Sequence, residues 1–81
     1  MHLEIITPDK KVFEGEVIGA MFPGTGGAFE VLNNHAPLIS TLENGPVRIH
    51  TSAGYQFITI DGGVVEVLNN KIVVLAEAVL S

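Results

Sequence analysis

The sequence contains no cysteine and no tryptophan, and only four of its 81 residues are lysine or arginine. Without cysteine the chain has no disulfide framework, no thiolate nucleophile and no cysteine-ligated zinc site. The four basic residues are scattered and nine acidic residues outnumber them, which gives a net charge of −5. Nucleic acid and anionic lipid are bound by clustered positive charge, so the composition argues against both as partners.

Long hydrophobic runs are also missing. No apolar stretch approaches the roughly 20 residues that cross a bilayer as a helix. Residues 1–20 carry charged side chains throughout and lack the apolar core of a secretory signal. We therefore expect a soluble, intracellular protein that does not insert into lipid. Its length predicts one small domain, residues 1–81, with little room for a large active-site cavity.

The chain is unusually apolar for its size. Charged residues make up 16% of it and hydrophobic residues 47%, whereas average domains have about 25% charged residues. A small domain has a high ratio of surface to volume and needs more polar cover, not less. The composition therefore predicts an apolar surface patch that serves as a docking face.

Turn-forming residues divide the chain into segments of about four to eight residues, which is the length of strands rather than of helices. These segments are rich in β-branched residues and phenylalanine, and the pattern predicts an all-β sandwich or flattened barrel. The predicted strands cover residues near 2–7, 11–22, 28–32, 37–42, 46–51, 55–60, 64–68 and 71–77, with 11–22 either bent or divided in two.

Two hairpins are readable from their turns. Asn69 and Asn70 separate two apolar strands, and asparagine tolerates the positive φ angles that a type I′ turn requires. Residues 52–54 are predicted to form a three-residue loop with Gly54 in the left-handed position. The strand near 72–76 is apolar at every position. Both of its faces need cover, so either a corner of the fold or another protein must close the second face.

The sequence contains a short internal echo. Residues 26–34 read GGAFEVLNN and residues 62–70 read GGVVEVLNN, with seven identities in nine positions. A repeat architecture would need about three copies to close a core. We therefore interpret both copies as a glycine turn, a short strand and an asparagine turn.

No motif for chemistry stands out. The glycine-rich residues 23–29 lack the third glycine of a dinucleotide fingerprint and the Gly-Lys-Ser/Thr of a phosphate loop. The three histidines lack the close spacing of metal ligands. Ser40, His35 and Asp61 could supply a nucleophile, a base and an acid, but no nucleophile-elbow motif surrounds Ser40. The sequence thus predicts neither a cofactor nor a metal.

Three segments carry a resemblance to a known family: LEIITPDKKVFEGEV (3–17), GAFEVLNNHAPLI (27–39) and IDGGVVEVLNNKIVVLAEA (60–78). Together, HAPL, GGVVEV and VVLAEA are far more specific than any one of these motifs. The chain resembles the epsilon-subunit family of the rotary F-type ATP synthase, in its N-terminal β-sandwich domain of about ten strands.

This resemblance implies a non-catalytic rotor subunit at the foot of the central stalk, which docks on the gamma subunit and the ring of c subunits and couples ion flow to ATP synthesis. It implies a peripheral position at the cytoplasmic face of a bacterial plasma membrane, with no small-molecule substrate. The residues that match the gamma-facing positions are Thr7, His35, Ala36, Pro37, Leu38, Ile39, Ser40 and Thr41. The loop that matches the c-ring contact comprises Thr25, Gly26, Gly27, Ala28, Phe29 and Glu30.

The chain departs from the family pattern at two places. Ala28 stands where the family often has an acidic residue, which leaves Glu30 as the carboxylate that could substitute. Family members typically continue into a two-helix hairpin that can brake ATP hydrolysis and in some cases binds ATP. The sequence ends at Ser81, so we expect this chain to lack the hairpin, its brake and its nucleotide site.

Two other function classes are also compatible with the sequence. A stand-alone ligand-binding module would have a cavity between its sheets and would remain a monomer. A small hydrolase would lose turnover when Ser40 is replaced by alanine. The rotor interpretation instead predicts that truncation of Leu38 or Ile39 releases the gamma subunit.

Overall fold

The computed structural model describes all 81 residues, which form seven strands and no helix. The strands are β1 (His2–Ile6), β2 (Lys11–Glu16), β3 (Gly19–Phe22), β4 (Phe29–Leu32), β5 (Leu38–Thr51), β6 (Gly54–Leu68) and β7 (Lys71–Ala76). The predicted all-β class is therefore confirmed. The structure has no helix with the length and apolarity needed to cross a membrane.

The strands form one hydrogen-bonded sheet in the order β2-β1-β7-β6-β5-β3-β4. β1 and β7 run parallel, and every other neighbouring pair is antiparallel. The β5–β6 hairpin lies at the centre of this order. Its register is unchanged from the pair Leu38–Val67 to the pair Thr51–Gly54.

The long hairpin joins two layers because its two ends have different neighbours. β7 pairs with residues 63–68 of β6, whereas β3 pairs with residues 48–50 of β5. The first layer therefore consists of β2, β1, β7 and the hairpin end formed by 38–42 and 63–68. The second layer consists of β4, β3 and the hairpin end formed by 46–51 and 54–60. Between them, Gly62 and Gly63 have φ angles of 77° and 144°, which suits glycine at a bend.

The structure has seven strands, whereas the sequence segments predicted nine with 11–22 divided and the family resemblance implied about ten. Two predicted breaks, at 43–45 and 61–63, bend the chain without ending a strand. Pro46 pairs with Thr59 and Asn44 pairs with Asp61, so the ladder continues through the bend. The segment 11–22 is divided in two, as one of its two predicted forms required. Because β5 and β6 bend while they keep their register, each of these strands belongs to both layers.

The turns agree with their local chemistry. Asn69 and Asn70 have φ angles of 51° and 61°, which confirms the predicted asparagine hairpin. The second hairpin also forms, with Thr51 opposite Gly54 and two residues in its loop rather than three. Gly54 has the predicted positive φ, at 120°.

The core lies between the two layers and is entirely apolar. It contains 16 buried hydrophobic residues, and no polar or charged side chain is buried. Phe22 is its largest fully buried member. The interior thus contains no desolvated polar group that could act as a nucleophile or base, and chemistry or binding must involve the surface.

Candidate docking face

The outward side of the first layer exposes apolar side chains from four neighbouring strands. In the ladder, Val64 of β6 lies opposite both Thr41 of β5 and Leu75 of β7, and Leu75 lies opposite Ile6 of β1. Two residues further along the strands, Ile39, Glu66 and Val73 form a parallel row. We define the docking face as the outward apolar residues of these strands: Ile6, Ile39, Val64, Leu68, Val73 and Leu75.

Exposure distinguishes the docking face from the core below it. Ile39 is 70% exposed, Leu75 56% and Leu68 47%. In β6 and β7, the neighbours of these residues along the strand are buried, as the period of two requires. Large apolar side chains that adjoin one another in water mark interaction surfaces in soluble proteins.

β7 contains the segment 72–76, which is apolar at every position and therefore needs cover on both of its faces. Ile72 and Val74 point inward and are fully buried, whereas Val73 and Leu75 point outward. No corner of the fold closes over Leu75. Of the two kinds of cover that the sequence allowed, the corner of the fold is absent over Leu75, and cover by another protein stays a prediction.

Two shallow grooves border the docking face. Pro37, Ile39 and Leu68 contribute to one groove. Ile6, Thr7 and Leu75 contribute to the other. Apolar strips flanked by grooves offer a partner both area and shape to pack against.

Charged side chains occupy the rest of the first layer's outer side. The Lys11 Nζ atom lies 2.9 Å from Glu4 and 2.8 Å from Glu14. The His2 ring contacts Glu16 through Nδ1 at 2.9 Å and Glu14 through Nε2 at 3.1 Å. These carboxylates already have cationic or hydrogen-bonding partners, so the docking face borders a largely compensated network.

This network includes the one cluster with metal-ligand chemistry. Donor atoms of His2, Glu4 and Glu14 lie within 4.8 Å of one another. Sequence spacing did not reveal the cluster because pairing of β1 with β2 brings its members together. The hydrogen bond with Glu14, followed by that with Glu4, raises the pKa of Lys11 to about 12. The lysine therefore stays protonated, and a metal would have to displace it.

The network is expected to depend on pH in a defined window. Hydrogen bonding to Glu16 is the largest cause that raises the pKa of His2 above its ordinary 6.5. The contribution of His2 is therefore complete below pH 6.5 and is lost as the pH rises through the raised pKa. Hydrogen bonds from Lys11 and His2 lower the pKa values of Glu14 and Glu16 from 4.5. Their contribution is present above pH 4.5 and is lost as the pH falls through the lowered values.

An NMR titration of the His2 ring protons tests this window. We expect a midpoint above 6.5 in the wild-type chain and a lower midpoint in Glu16→Gln, which removes the main charged partner. Gln56→Glu is a control that adds a carboxylate on β6, outside the network, and should leave the midpoint unchanged. A wild-type midpoint at or below 6.5 would contradict the geometry.

The structure divides the predicted gamma-facing strand residues between two sides of β5. Ile39 and Thr41 point outward, and Ile39 belongs to the docking face. Leu38 and Ser40 alternate with them and point inward, where Leu38 packs against the core. Thr7 follows the end of β1 and lines a groove beside the docking face.

The remaining gamma-facing residues, 35–37, form the segment between β4 and β5. The His35 ring donates through Nδ1 to the carbonyl oxygen of Ala36 at 2.7 Å. A carbonyl oxygen can only accept, so Nδ1 carries the hydrogen in this contact. Ala36 and Pro37 are exposed.

The predicted c-ring loop has an open tip and an anchored end. Residues 25–28 are exposed, whereas Phe29 is half-buried with its ring centroid 5.7 Å from that of Phe22. Glu30 accepts a hydrogen bond from Arg48 at 3.2 Å on the outer side of the second layer. The carboxylate that could replace the missing acidic residue at Ala28 is therefore already paired.

Thr25 connects this loop to β5. Its backbone N–H donates to the carbonyl oxygen of Thr41 at 3.1 Å, and the two hydroxyl oxygens lie 2.7 Å apart. The loop tip and the strand that carries Ile39 are thus joined directly.

The second layer also exposes aromatic side chains, and one of them has partners within the chain. Tyr55 stacks on His50 with ring centroids 4.4 Å apart, and the Arg48 guanidinium lies 5.0 Å from the Tyr55 ring centroid. Phe57 is 61% exposed. This side thus provides a large exposed residue as a control for the docking face.

The structure does not assemble the hydrolase side chains. Ser40 Oγ donates to the carbonyl oxygen of Thr41 at 3.0 Å. The Asp61 carboxylate accepts from Asn44 at 3.3 Å, and His35 contacts Ala36. Each group has a separate local partner, and no ring nitrogen contacts the serine. Side chains of the core occupy the space where a ligand cavity between the layers would lie.

Sequence reasoning missed most of the docking face. It singled out Ile39 but not the other five members, Ile6, Val64, Leu68, Val73 and Leu75. The available signal was the strand with apolar residues on both faces, which becomes interpretable only when the register fixes which face points outward.

The fold and the surface define the class of this protein. It is a small all-β domain with an apolar core, no assembled catalytic group and one apolar outer face. The family model of the ATP synthase Delta/Epsilon chain, beta-sandwich domain, matches residues 1–81. The chain therefore belongs to this family and resembles its epsilon members in their N-terminal domain. This domain is not the catalytic part of an ATP synthase, which confirms the prediction that the chain is not an enzyme.

The curated relatives that match nearly the whole chain are ATP synthase epsilon chains. The ATP synthase epsilon chain of Pelotomaculum thermopropionicum is 46% identical over 77 residues, which cover 95% of this chain and 58% of the relative. That of Chlorobium limicola is 41% identical over 78 residues, which cover 95% of this chain and 89% of the relative. The chain thus spans little more than half of the first relative.

Two solved structures share the fold. A chain in the central stalk/c-ring structure of the Tetrahymena thermophila mitochondrial ATP synthase aligns with a TM-score of 0.84 at 17% identity and covers 99% of this chain and 65% of that one. A chain in the Euglena gracilis mitochondrial ATP synthase structure aligns with a TM-score of 0.89 at 18% identity and covers 96% and 51%. At these identities the comparison supports the two-layer fold.

Proposed function

We propose that this chain is a rotor subunit of a bacterial F-type ATP synthase and that the docking face binds the gamma subunit. The observation that carries the proposal is the set of exposed apolar residues on the first layer, led by Ile39 and Leu75. Permanent protein interfaces are more apolar than the general surface. Family membership supports an ATP synthase as the complex that contains such a permanent partner.

The loop 25–30 is proposed to contact the c ring. Its tip exposes mainly backbone and small side chains at Gly26, Gly27 and Ala28, so it suits close polar contacts with loops of a neighbouring chain. Thr25 ties the tip to Thr41. Force applied at the loop therefore reaches β5 through hydrogen bonds rather than through a flexible linker.

The mechanical role follows from the interior. Close-packed apolar cores have low compressibility and transmit strain, and the 16-residue core joins both layers. A rigid domain with two contact sites can hold gamma and the ring in fixed relation as they turn. Ion flow through the membrane part is thereby coupled to ATP synthesis at the cytoplasmic face, while this chain performs no chemistry.

Binding to the two partners tests the proposal. The chain should bind the cognate gamma subunit within its catalytic subcomplex with a Kd below about 1 µM, measured by biolayer interferometry. When the c ring in detergent is added, the ternary complex should dissociate more slowly than either pair. The catalytic subcomplex without gamma is the matched control and should not bind. A monodisperse chain that binds neither partner at about 10 µM would refute the rotor function.

A further inference from the structure

The two asparagine turns of the internal echo meet in space. The Asn70 side chain donates through Nδ2 to Asn33 Oδ1 at 2.8 Å. Its Oδ1 atom accepts the backbone N–H of Asn34, also at 2.8 Å. A backbone N–H can only donate, so this contact fixes which end of the Asn70 amide faces it. One side chain thus holds a turn that lies 36 residues away in the sequence.

These two hydrogen bonds connect the segment that leads to the docking face with a residue that is distant in the sequence. Residues 33–37 lie between β4 and β5 and belong to no strand. Their other hydrogen bonds are local, from His35 N–H to Leu32 O at 3.1 Å and from the His35 ring to Ala36 O. Without Asn70, no hydrogen bond would join this segment to a residue distant in sequence.

Asn70 has a fixed position from which to hold the segment. Its φ of 61° belongs to the hairpin turn between β6 and β7. Its carbonyl oxygen accepts the backbone N–H of His2 at 3.2 Å, which joins the turn to β1. The residue is half-buried, whereas Asn33 and Asn34 are exposed. The first layer thus provides the rigid side of the contact.

The segment 33–37, to which Asn70 is hydrogen-bonded, leads directly to the docking face. Pro37 and Ile39 line the same groove as Leu68, which is the strand residue before the Asn69–Asn70 turn. Ordering a loop during binding costs conformational entropy, and a loop that is ordered beforehand avoids that cost.

We propose that Asn70 is a positioning residue for docking, which clasps the 33–34 turn and so holds residues 35–37 in their binding conformation before the partner arrives. The inference rests on the proposed function, since it assigns Asn70 a part in gamma binding. It also gives the sequence echo a physical meaning, because the two similar turns contact each other.

The test compares Asn70→Gly with Asn69→Gly. Both positions have positive φ, so glycine keeps the hairpin turn in each variant, and only Asn70→Gly removes the clasp. We expect Asn70→Gly to accelerate hydrogen exchange at the Asn34 amide at least about tenfold and to weaken gamma binding about tenfold. Asn69→Gly should change neither quantity.

Asn70→Asp is the conservative variant. Its carboxylate still accepts the Asn34 N–H, and the Asn33 amide can turn over to donate to the second oxygen, so both readouts should stay within about twofold of wild type. Unchanged exchange at Asn34 in Asn70→Gly would overturn the clasp. Faster exchange with gamma affinity equal to that of Asn69→Gly would overturn its role in docking. Failure of the wild-type chain to bind gamma would instead refute the proposed function, while the exchange measurement would still decide the clasp.

Discussion

Replacing Gly63 with alanine is expected to lower the free energy of unfolding by roughly 4 kcal/mol, which combines backbone strain and steric overlap. Gly63 has a φ of 144°, and a Cβ atom there would lie 2.2 Å from the Leu75 carbonyl oxygen and 2.9 Å from the Ala76 Cα. Both obstructing atoms are backbone atoms of the paired strand, so they cannot move aside as a side chain does. Thermal unfolding should shift down by roughly 15–30 °C.

Two other glycines separate the causes. Gly54 also has a positive φ, at 120°, but no atom lies within 4 Å of the place where its Cβ would be, and Gly26 has neither the strain nor the contact. Gly54→Ala should therefore cost about 1–2 kcal/mol, and Gly26→Ala should stay within about 0.5 kcal/mol of wild type. Equal thermal midpoints for Gly63→Ala and Gly26→Ala would show that the bend between the layers is wrong.

Replacing Ile39 with aspartate is expected to weaken gamma binding about 100-fold while the chain stays folded. Ile39 is 70% exposed in the free chain, so a charge there costs little stability. Docking would bury that charge without a partner, which costs several kcal/mol, and a loss of about 2.7 kcal/mol corresponds to the expected change. Titration calorimetry with the gamma-containing subcomplex measures the affinity.

Phe57→Asp is the matched control, because Phe57 is 61% exposed on the outer side of the second layer. It should leave the affinity within about threefold of wild type, because that side lies outside the proposed gamma contact. An equal loss of binding in both variants would contradict the assignment of the docking face.

The companion prediction for Leu38 needs a different readout. Leu38 packs against the core, so Leu38→Ala should lower the stability in addition to any effect on binding. Ile39 therefore provides the clean test of docking, and Leu38 provides a test of packing.

Local chemistry made several elements predictable from the sequence. The Asn69–Asn70 turn was readable because a two-residue hairpin loop needs residues that tolerate positive φ. Strand positions were readable because β-branched segments alternate with turn residues. Excess apolarity predicted an exposed face because the composition of a small chain limits what it can bury.

Other predictions were wrong in detail because they concerned the pairing of segments that lie far apart in the sequence. The bend at 43–45 and 61–63 was interpreted as two breaks between strands, although the ladder continues through it. Spacing along the sequence also gave no sign that His2 and Glu14 would meet, since only the register of β1 against β2 brings them together.

The sequence by itself determined the all-β class, the hairpin turns, the family and the excess of apolar residues, because composition, turn chemistry and motif are properties of neighbouring residues. Only the tertiary structure decided which apolar residues face outward, how Asn70 meets Asn33, and how Thr25 is tied to Thr41. Those contacts depend on strand register and layer packing, which arise when distant segments pair and which the order of residues does not display.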